Sequence, residues 1–203
     1  MNKCHKIKIT KSIEENIFVK KKIIYDVDII SLLTNKIYNC LNKKGKIFIC
    51  GNGGSASDAQ HLAAEFMVRL RPLVNRRPYP VIALTLDPAT MTACSNDYGY
   101  SKVFSRPLDA LATTRDILIV LSTSGNSKNI IEALKMAKKK KIFSIGLLGS
   151  KGGNSKNLCD LKYIVPSDNV ARIQEAHIFL GHTIFEIIED MLIKSSKNNN
   201  NIY

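Results

Sequence analysis

Several features that would assign the chain to a common class are missing from its sequence. No apolar run reaches the roughly 18 residues that a membrane-spanning helix needs, and the lysine-rich N-terminus lacks the apolar core of a secretion signal. The five cysteines form no CxxC pair, and their number is odd. We therefore expect reduced thiols and a cytoplasmic protein that neither crosses nor binds a membrane.

Acidic residues are also scarce: the chain has 17 Asp and Glu but 30 Lys and Arg. The net charge is therefore +13. Such a charge is typical of nucleic-acid-binding proteins. Here, however, the lysines are concentrated at residues 3–22, 138–141 and 194–197, as at solvated helix ends and tails. No aromatic residues alternate with them to stack bases. We predict no nucleic-acid partner, although the positive field would attract anionic metabolites.

Two polar loops of small residues are the most informative feature that is present. The first loop, Gly51–Ser57, follows an apolar run at residues 46–50, and the second loop, Ser122–Ser127, follows another at residues 117–121. Each loop precedes a stretch with a helical pattern. A strand that ends in Gly and Ser and leads into a helix presents free N–H groups and a positive helix end, which suit a phosphate. Two such loops predict a phosphorylated ligand held from two sides.

Nucleotide binding explains the first loop less well. Gly51, Gly53 and Ala56 fit the dinucleotide pattern G-x-G-x-x-A. The acidic residue expected about 20 positions later is missing, since Asp87 is the nearest candidate at the end of the next strand. A phosphate loop of the G-x-x-x-x-G-K-[ST] kind is absent as well.

The order of patterns along the chain predicts an α/β fold. Residues 1–45 have near-helical apolar spacing and are expected to form helices that pack on the core or on a neighbouring subunit. From residue 46, apolar runs at 46–50, 81–86, 117–121, 143–148 and 162–165 alternate with helical stretches at 57–70, 90–96, 103–112, 129–141 and 168–193. This alternation predicts a five-stranded parallel sheet covered by helices on both faces.

Three further expectations follow from this pattern. With the strand order 2-1-3-4-5, both loops lie at the crevice where the order reverses. Ser167 or Asp168 is expected to cap the last helix, and Asn96–Gly99 to form a turn. Residues 194–203 are expected to be a disordered tail beyond a domain at 46–193.

Two helices carry most of the candidate acid–base groups. His61 and Glu65 are four residues apart, so they share one helix face after the first loop. Gln174 and His182 lie two turns apart on the last helix, which also carries His177. A solvent-exposed ion pair and buried, hydrogen-bonded histidines explain these patterns equally well.

Taken together, these motifs resemble the phosphoheptose isomerases of the SIS (sugar isomerase) family. The resemblance runs from about Lys46 to Leu192. The motifs that carry it are Cys50–His61 with Ala64-Glu65, Asn96–Gly99, Phe104–Arg106, Ser122–Ser127 and Arg172–Glu175. It implies a flavodoxin-like, three-layer αβα sandwich (the SIS domain) preceded by N-terminal helices. It also implies a homotetramer with active sites at subunit interfaces, in the bacterial cytoplasm.

The resemblance further implies a reaction and the residues that perform it. The reaction is the isomerisation of D-sedoheptulose 7-phosphate to D-glycero-D-manno-heptose 7-phosphate through an enediol, for nucleotide-activated heptose of lipopolysaccharide or capsule. Glu65 would be the base, and His182 the partner acid–base. The implied zinc ligands are His61, Glu65, Gln174 and His182, although the Cα atoms of Gln174 and His182 are about 12 Å apart along a helix. The implied substrate contacts are Asn52, Gly53, Gly54, Ser55, Glu65, Asn96, Asp97, Ser122, Thr123, Ser124, Ser127 and Gln174.

Two departures and two alternatives accompany this hypothesis. Val68 and Leu70 stand where family members usually have a small residue and an aromatic one, so local helix packing is in question. The chain would alternatively be a non-catalytic SIS protein that binds phosphosugar and associates with the replication initiator. Isomerisation of another ketose phosphate is the second alternative. The presence of both Glu65 and His182 favours catalysis.

Overall fold

The computed structural model describes residues 3–85 and 87–198 of the 203-residue chain. Its centre is a five-stranded sheet in which every strand pair is parallel. The strands are β1 (Ile47–Cys50), β2 (Val81–Ala83), β3 (Ile117–Ser122), β4 (Phe143–Leu148) and β5 (Leu161–Ile164). Their order is β2-β1-β3-β4-β5, as predicted. The reversal of strand order therefore lies between β1 and β3, the strands that lead into the two loops.

Helices cover both faces of the sheet. They are α1 (Lys3–Ile23), α2 (Val27–Asn42), α3 (Gly54–Met67), α4 (Pro88–Tyr98), α5 (Ser105–Leu111), α6 (Lys128–Lys140) and α7 (Val170–Asn198). Alternate strand residues point to opposite faces, so one buried cluster joins α1, α2, α3 and α7 to residues such as Ile47 and Ile119. The other joins α4, α5 and α6 to residues such as Phe48 and Leu118. The predicted three-layer αβα sandwich is confirmed.

The N-terminal helices differ in how deeply they are buried. Helix α2 packs its apolar face, including Leu33 and Ile37, into the core beside α7. Helix α1 buries only Val19 and Ile23 near its C-terminal end. A hydrogen bond links α1 to α7, since Arg172 Nη1 donates to the carbonyl of Ser12 at 2.7 Å. Within this chain, then, α2 is a core helix and α1 a peripheral one.

Several predicted boundaries are wrong, each for a local reason. Helix α3 begins inside the first loop at Gly54 and ends at Met67, so Val68 and Leu70 lie beyond it. Val68 is exposed, and Leu70 packs against the core. Strand β2 ends at Ala83, before the Asp87 carboxylate accepts from the backbone N–H of Thr90 and starts α4. The predicted turn at Asn96–Gly99 is the last turn of α4, and Gly99 ends it with a φ of 80°.

The ends of α7 were also predicted wrongly. The helix starts at Val170, and Asn169 rather than Ser167 or Asp168 provides the cap, since its Oδ1 accepts from the N–H of Ala171 at 3.0 Å. Residues 194–198 were expected in a disordered tail but continue the helix. The rest of that predicted tail, 199–203, lies outside the described residues.

Candidate active site

The two loops meet at the carboxyl edge of the sheet through a pair of asparagines. Asn52 of the first loop donates its Nδ2 to Asn129 Oδ1 at 2.9 Å, and Asn129 returns a bond from its Nδ2 to Asn52 Oδ1 at 2.8 Å. The hydroxyl of Tyr100 also donates a hydrogen bond to Asn52 Oδ1 at 3.0 Å. The carboxamide of Asn52 thus ties the loop to the start of α6. The adjacent Gly53, whose φ is 56°, leaves the N-terminus of α3 without a side-chain cap.

The second loop uses some of its hydroxyl groups internally. Ser122 is buried, and its Oγ accepts from the N–H of Gly125 at 3.0 Å. Ser124 Oγ accepts from the N–H of Asn126 at 3.2 Å. Ser127 occupies the N-cap position of α6 but forms no cap hydrogen bond with its side chain. The hydroxyls of Thr123 and Ser127 and the free N–H groups of α6 are therefore the groups best placed for an anion.

Three side chains from two helices converge next to the first loop. His61 and Glu65 come from α3, and His182 comes from α7. His61 Nε2 lies 3.0 Å from His182 Nε2, and Glu65 Oε1 lies 3.2 Å from His61 Nε2 and 3.3 Å from His182 Nε2. We call His61, Glu65 and His182 the His-Glu-His cluster.

The two oxygens of Glu65 have different surroundings. Oε1 faces both imidazoles, whereas Oε2 is buried and has no hydrogen-bond partner among the described residues. The carboxylate is therefore oriented through Oε1, while Oε2 is shielded from solvent and has no donor beside it in the described part of the chain.

Gln174 lies at the first loop. Its Nε2 is so close to Gly54 that a Cβ added there would stand 2.6 Å away. This position suits the predicted substrate contact, while its place among metal ligands stays a prediction. Gly54 admits the amide because it has no side chain. Ser55, also predicted as a substrate contact, is buried at this helix start.

Asn96 and Asp97 pair with each other on the exposed last turn of α4, where Asn96 Nδ2 donates to Asp97 Oδ1 at 2.8 Å. Tyr100, just beyond this turn, reaches Asn52. The turn therefore stands beside the first loop.

Sequence reasoning missed three polar residues near the site. Asn129 is 2% exposed on a helix face that is otherwise Ile, Ala and Leu, and this polar interruption of an apolar stripe was a usable signal. Asp58, one turn before His61, has an Oδ2 that is buried and unpaired within the described part of the chain. Burial raises the pKa of Asp58, while the nearby His61 and His182 oppose the rise. Tyr100 gave no signal, because its contact with Asn52 is tertiary.

Comparisons with known proteins agree with this geometry. The SIS domain family model matches residues 22–149. A phosphoheptose isomerase of Clostridium acetobutylicum is 42% identical over 187 residues, which cover 91% of this chain and 94% of that protein. Phosphoheptose isomerase 1 of Campylobacter jejuni is 51% identical over 151 residues, covering 74% of this chain and 80% of that protein.

A solved structure is similar over nearly the full length. The phosphoheptose isomerase of Neisseria gonorrhoeae superposes with a TM-score of 0.85 at 37% identity, covering 91% of this chain and 98% of that one. Identity and coverage of this extent establish family membership. The chain belongs to the SIS domain family and, within it, to the phosphoheptose isomerases.

Proposed function

We propose that this protein is an isomerase that converts D-sedoheptulose 7-phosphate to D-glycero-D-manno-heptose 7-phosphate. The observation that carries the proposal is the meeting of Glu65 and His182 from separate helices, with Oε1 and Nε2 at 3.3 Å, beside two phosphate-type loops. Family membership supports the same reaction. The product is a precursor of nucleotide-activated heptose for surface glycans such as lipopolysaccharide or capsule, made in the cytoplasm.

The reaction moves a carbonyl from C2 to C1 and needs two proton movements. The Glu65 carboxylate takes a proton from C1, and the electron pair of that C–H bond forms the C1–C2 double bond of an enediol as O2 gains a proton. Glu65 then delivers a proton to C2, while O1 loses its proton to become the new carbonyl. His182 is placed to carry the proton between O1 and O2, because imidazole donates and accepts near neutral pH.

The phosphate end of the sugar binds between the loops. Thr123 and Ser127 supply hydroxyls, and the start of α6 supplies free N–H groups and the positive end of its dipole. The asparagine pair Asn52 and Asn129 keeps the first loop at a fixed distance from this site. The reacting carbons are thereby held over the His-Glu-His cluster.

The His-Glu-His cluster also suits a zinc ion. Its three donor atoms are 3.0, 3.2 and 3.3 Å apart, and tetrahedral ligands about 2.0–2.1 Å from zinc are separated by roughly 3.3 Å. His61, Glu65 and His182 would hold the ion, with Gln174 as the proposed fourth ligand. Bound zinc would occupy the lone pair of His182 Nε2 and would then act on O1 and O2 in place of that imidazole, polarising the substrate carbonyl and stabilising negative charge on the enediolate oxygens.

Removing the metal tests this proposal directly. We expect chelation with EDTA followed by dialysis to lower both the isomerase rate and the melting temperature, and zinc addition to restore both. A His61→Gln variant is the control, because it should respond far less to either treatment. Unchanged rate and melting temperature through both steps would remove zinc from the proposal.

Proton transfer in heavy water tests the reaction itself. Sedoheptulose 7-phosphate incubated with the protein in D2O should yield the aldose phosphate with deuterium at C2, detected by NMR and mass spectrometry. Five- and six-carbon ketose phosphates, run in parallel, should turn over more slowly. Absence of turnover with and without zinc would favour a non-catalytic phosphosugar-binding protein that associates with the replication initiator. Faster turnover of a shorter sugar would assign another ketose phosphate.

A further inference from the structure

Arg76, in the segment between α3 and β2, is charged and yet buried. Its side chain is 4% exposed, and its guanidinium lies over Phe66 and Tyr79, 5.1 and 5.6 Å from the ring centroids. Its Nε donates to Glu189 Oε1 at 2.6 Å, and the Glu189 side chain is 0% exposed. Buried charges are costly unless they are paired, so this arrangement calls for an explanation.

The guanidinium closes the C-terminal end of α3. Arg76 Nη2 donates to the carbonyl of Glu65 at 2.8 Å, and Nη1 donates to the carbonyl of Phe66 at 2.9 Å. Carbonyls in the last turn of a helix lack intrahelical partners, and a cation there also interacts favourably with the helix dipole. Arg76 thus binds the main chain of the residue that we assign as the catalytic base.

The same guanidinium joins α3 to α7. Glu189 lies seven residues after His182, which is close to two full turns, so both side chains leave α7 on the same side. Phe66 and Phe185 fill the space between the two helices, with ring centroids 4.2 Å apart. The cluster distances of 3.0–3.3 Å span this helix pair.

We propose that Arg76 is a positioning residue that locks the C-terminal end of α3 to α7 and so sets the distance between Glu65 and His182. This inference rests on the proposed function, since it assigns Arg76 to the geometry of the same acid–base pair. Arg76 acts through main-chain carbonyls and Glu189 rather than by touching the substrate.

Arg71 is a matched control for this role. It also binds Glu189, donating its Nε to Oε2 at 2.6 Å, and its Nη2 donates to Asp190 Oδ1 at 2.6 Å. Within the described residues, these hydrogen bonds go to α7 and not to α3. Removing either arginine leaves Glu189 with one cationic partner, but only the loss of Arg76 removes donors from α3: the Glu65 carbonyl loses its Arg76 bond, and the Phe66 carbonyl keeps only the N–H of Tyr79 at 3.1 Å.

The kinetic test compares Arg76→Met, Arg76→Lys and Arg71→Met after urea unfolding has established that each is folded. We expect Arg76→Met to lower kcat by about 100-fold with KM nearly unchanged, because small misplacements of catalytic groups have effects of this size. Arg71→Met should keep kcat within about threefold of the wild type. Arg76→Lys should recover part of the loss, since lysine keeps the charge but lacks the planar fork. Equal losses of kcat in Arg76→Met and Arg71→Met would overturn the proposal.

Hydrogen exchange gives a readout that does not depend on activity. Amides in the last turn of α3, including Val68, which donates to the carbonyl of Ala64 at 2.8 Å, should exchange faster in Arg76→Met than in Arg71→Met. If the wild type fails to isomerise the sugar, the proposed reaction is wrong, and this comparison still decides whether Arg76 anchors α3. Equal exchange in the two variants would overturn the anchoring role whatever the activity.

Discussion

At the scale of single residues, the two oxygens of the Glu65 carboxylate have different surroundings. Oε1 is directed at the two imidazoles, and Oε2 is buried without a partner in the described part of the chain. An amide in place of the carboxylate would keep the shape but lose the basicity.

The Glu65→Gln variant should therefore bind substrate but turn it over very slowly. We expect kcat to fall by about 10³-fold, within the range that positioned acid–base groups contribute. Sedoheptulose 7-phosphate should still raise the melting temperature of the variant. Glu186→Gln, an exposed carboxylate one turn after His182 on α7, is the control and should keep normal kcat. Activity near that of the wild type in Glu65→Gln would contradict the assignment of the base.

His177 is the second imidazole of α7, and unlike His182 it lies in the core. It is 0% exposed, and neither ring nitrogen has a well-formed hydrogen bond among the described residues, although the main chain of Leu148 lies near. Burial lowers the pKa of His177 to about 4, an effect that the Leu148 main chain partly opposes. The residue is thus a neutral core side chain at physiological pH: it is buried, as the structural interpretation of the sequence expected, but it lacks the well-formed hydrogen bond that this interpretation included.

His177 should make the folded state sensitive to acid. Between pH 6.5 and about 4, His177 binds a proton in the unfolded chain but stays neutral in the folded one. The free energy of unfolding therefore falls as the pH falls. The full effect amounts to about 3 kcal/mol in the free energy of unfolding. Urea unfolding at several pH values should show a shallower pH dependence for His177→Gln than for wild type. Exposed His5→Gln should keep the wild-type slope, and an unchanged slope in His177→Gln would contradict the buried neutral state.

At the scale of elements, the second loop depends on a neighbouring glycine-rich turn. Gly125 has a φ of 65°, and a Cβ there would overlap the carbonyl of Gly152. The N–H of Ser155 donates to the carbonyl of Gly125 at 2.9 Å, and the N–H of Asn154 donates to Asn126 Oδ1 at 2.9 Å. The turn after β4 therefore supports the loop that is proposed to hold the phosphate.

Gly125→Ala should disturb both stability and phosphate binding. Gly99→Ala is the matched control, since Gly99 also has a positive φ, of 80°, but nothing within 4 Å of an added Cβ. We expect Gly125→Ala to lose about 2 kcal/mol more unfolding free energy than Gly99→Ala, because the clash adds to the backbone strain. Affinity for inorganic phosphate, measured by calorimetry, should fall only in Gly125→Ala. Equal losses of unfolding free energy in the two variants would indicate that the positive φ alone, and not the contact with Gly152, causes the destabilisation.

Elements were predictable from the sequence where local pattern decides, and not where tertiary contacts do. Apolar runs and loop composition were enough to predict the parallel sheet, and with the doubly wound strand order assumed they also predicted that the two loops meet at one edge. The start of α3 at Gly54 was missed because a glycine-rich loop carries no helical signal, even though its N–H groups begin the helix. The roles of Arg76 and Glu189 were also beyond prediction, since their pairing joins residues 113 positions apart.

At the scale of the whole molecule, α1 exposes a row of large apolar side chains that this chain leaves uncovered. The row consists of Ile9, Ile13 and Ile17, which are spaced four residues apart and so share one face of the helix. Contiguous exposed apolar surface of this kind is typical of subunit contacts. No helix within the described residues is long and apolar enough to cross a bilayer. We propose that α1 packs through this row against a second copy of the chain, as in the tetramer that the family resemblance implies.

A charge placed on this row should weaken the assembly. We expect the wild type to have the mass of four chains in light scattering after size exclusion, and Ile17→Glu to shift toward smaller species. Ile17 is 47% exposed, so the change should leave the fold of each chain intact. Leu111→Glu, at 45% exposure on the opposite layer, is the control and should keep the wild-type mass. A monomeric wild type, or equal dissociation in both variants, would contradict the proposal.

Helix α7 carries Gln174, His182 and Glu189 toward three different neighbours, and this has a consequence for how the gene can change. Each residue of a helix advances about 1.5 Å and turns about 100°. Deleting or inserting one codon between Gln174 and His182 would swing one of them away from its neighbour, whatever residue was lost or gained. That stretch should accept no change of length, even at its exposed residue Phe179.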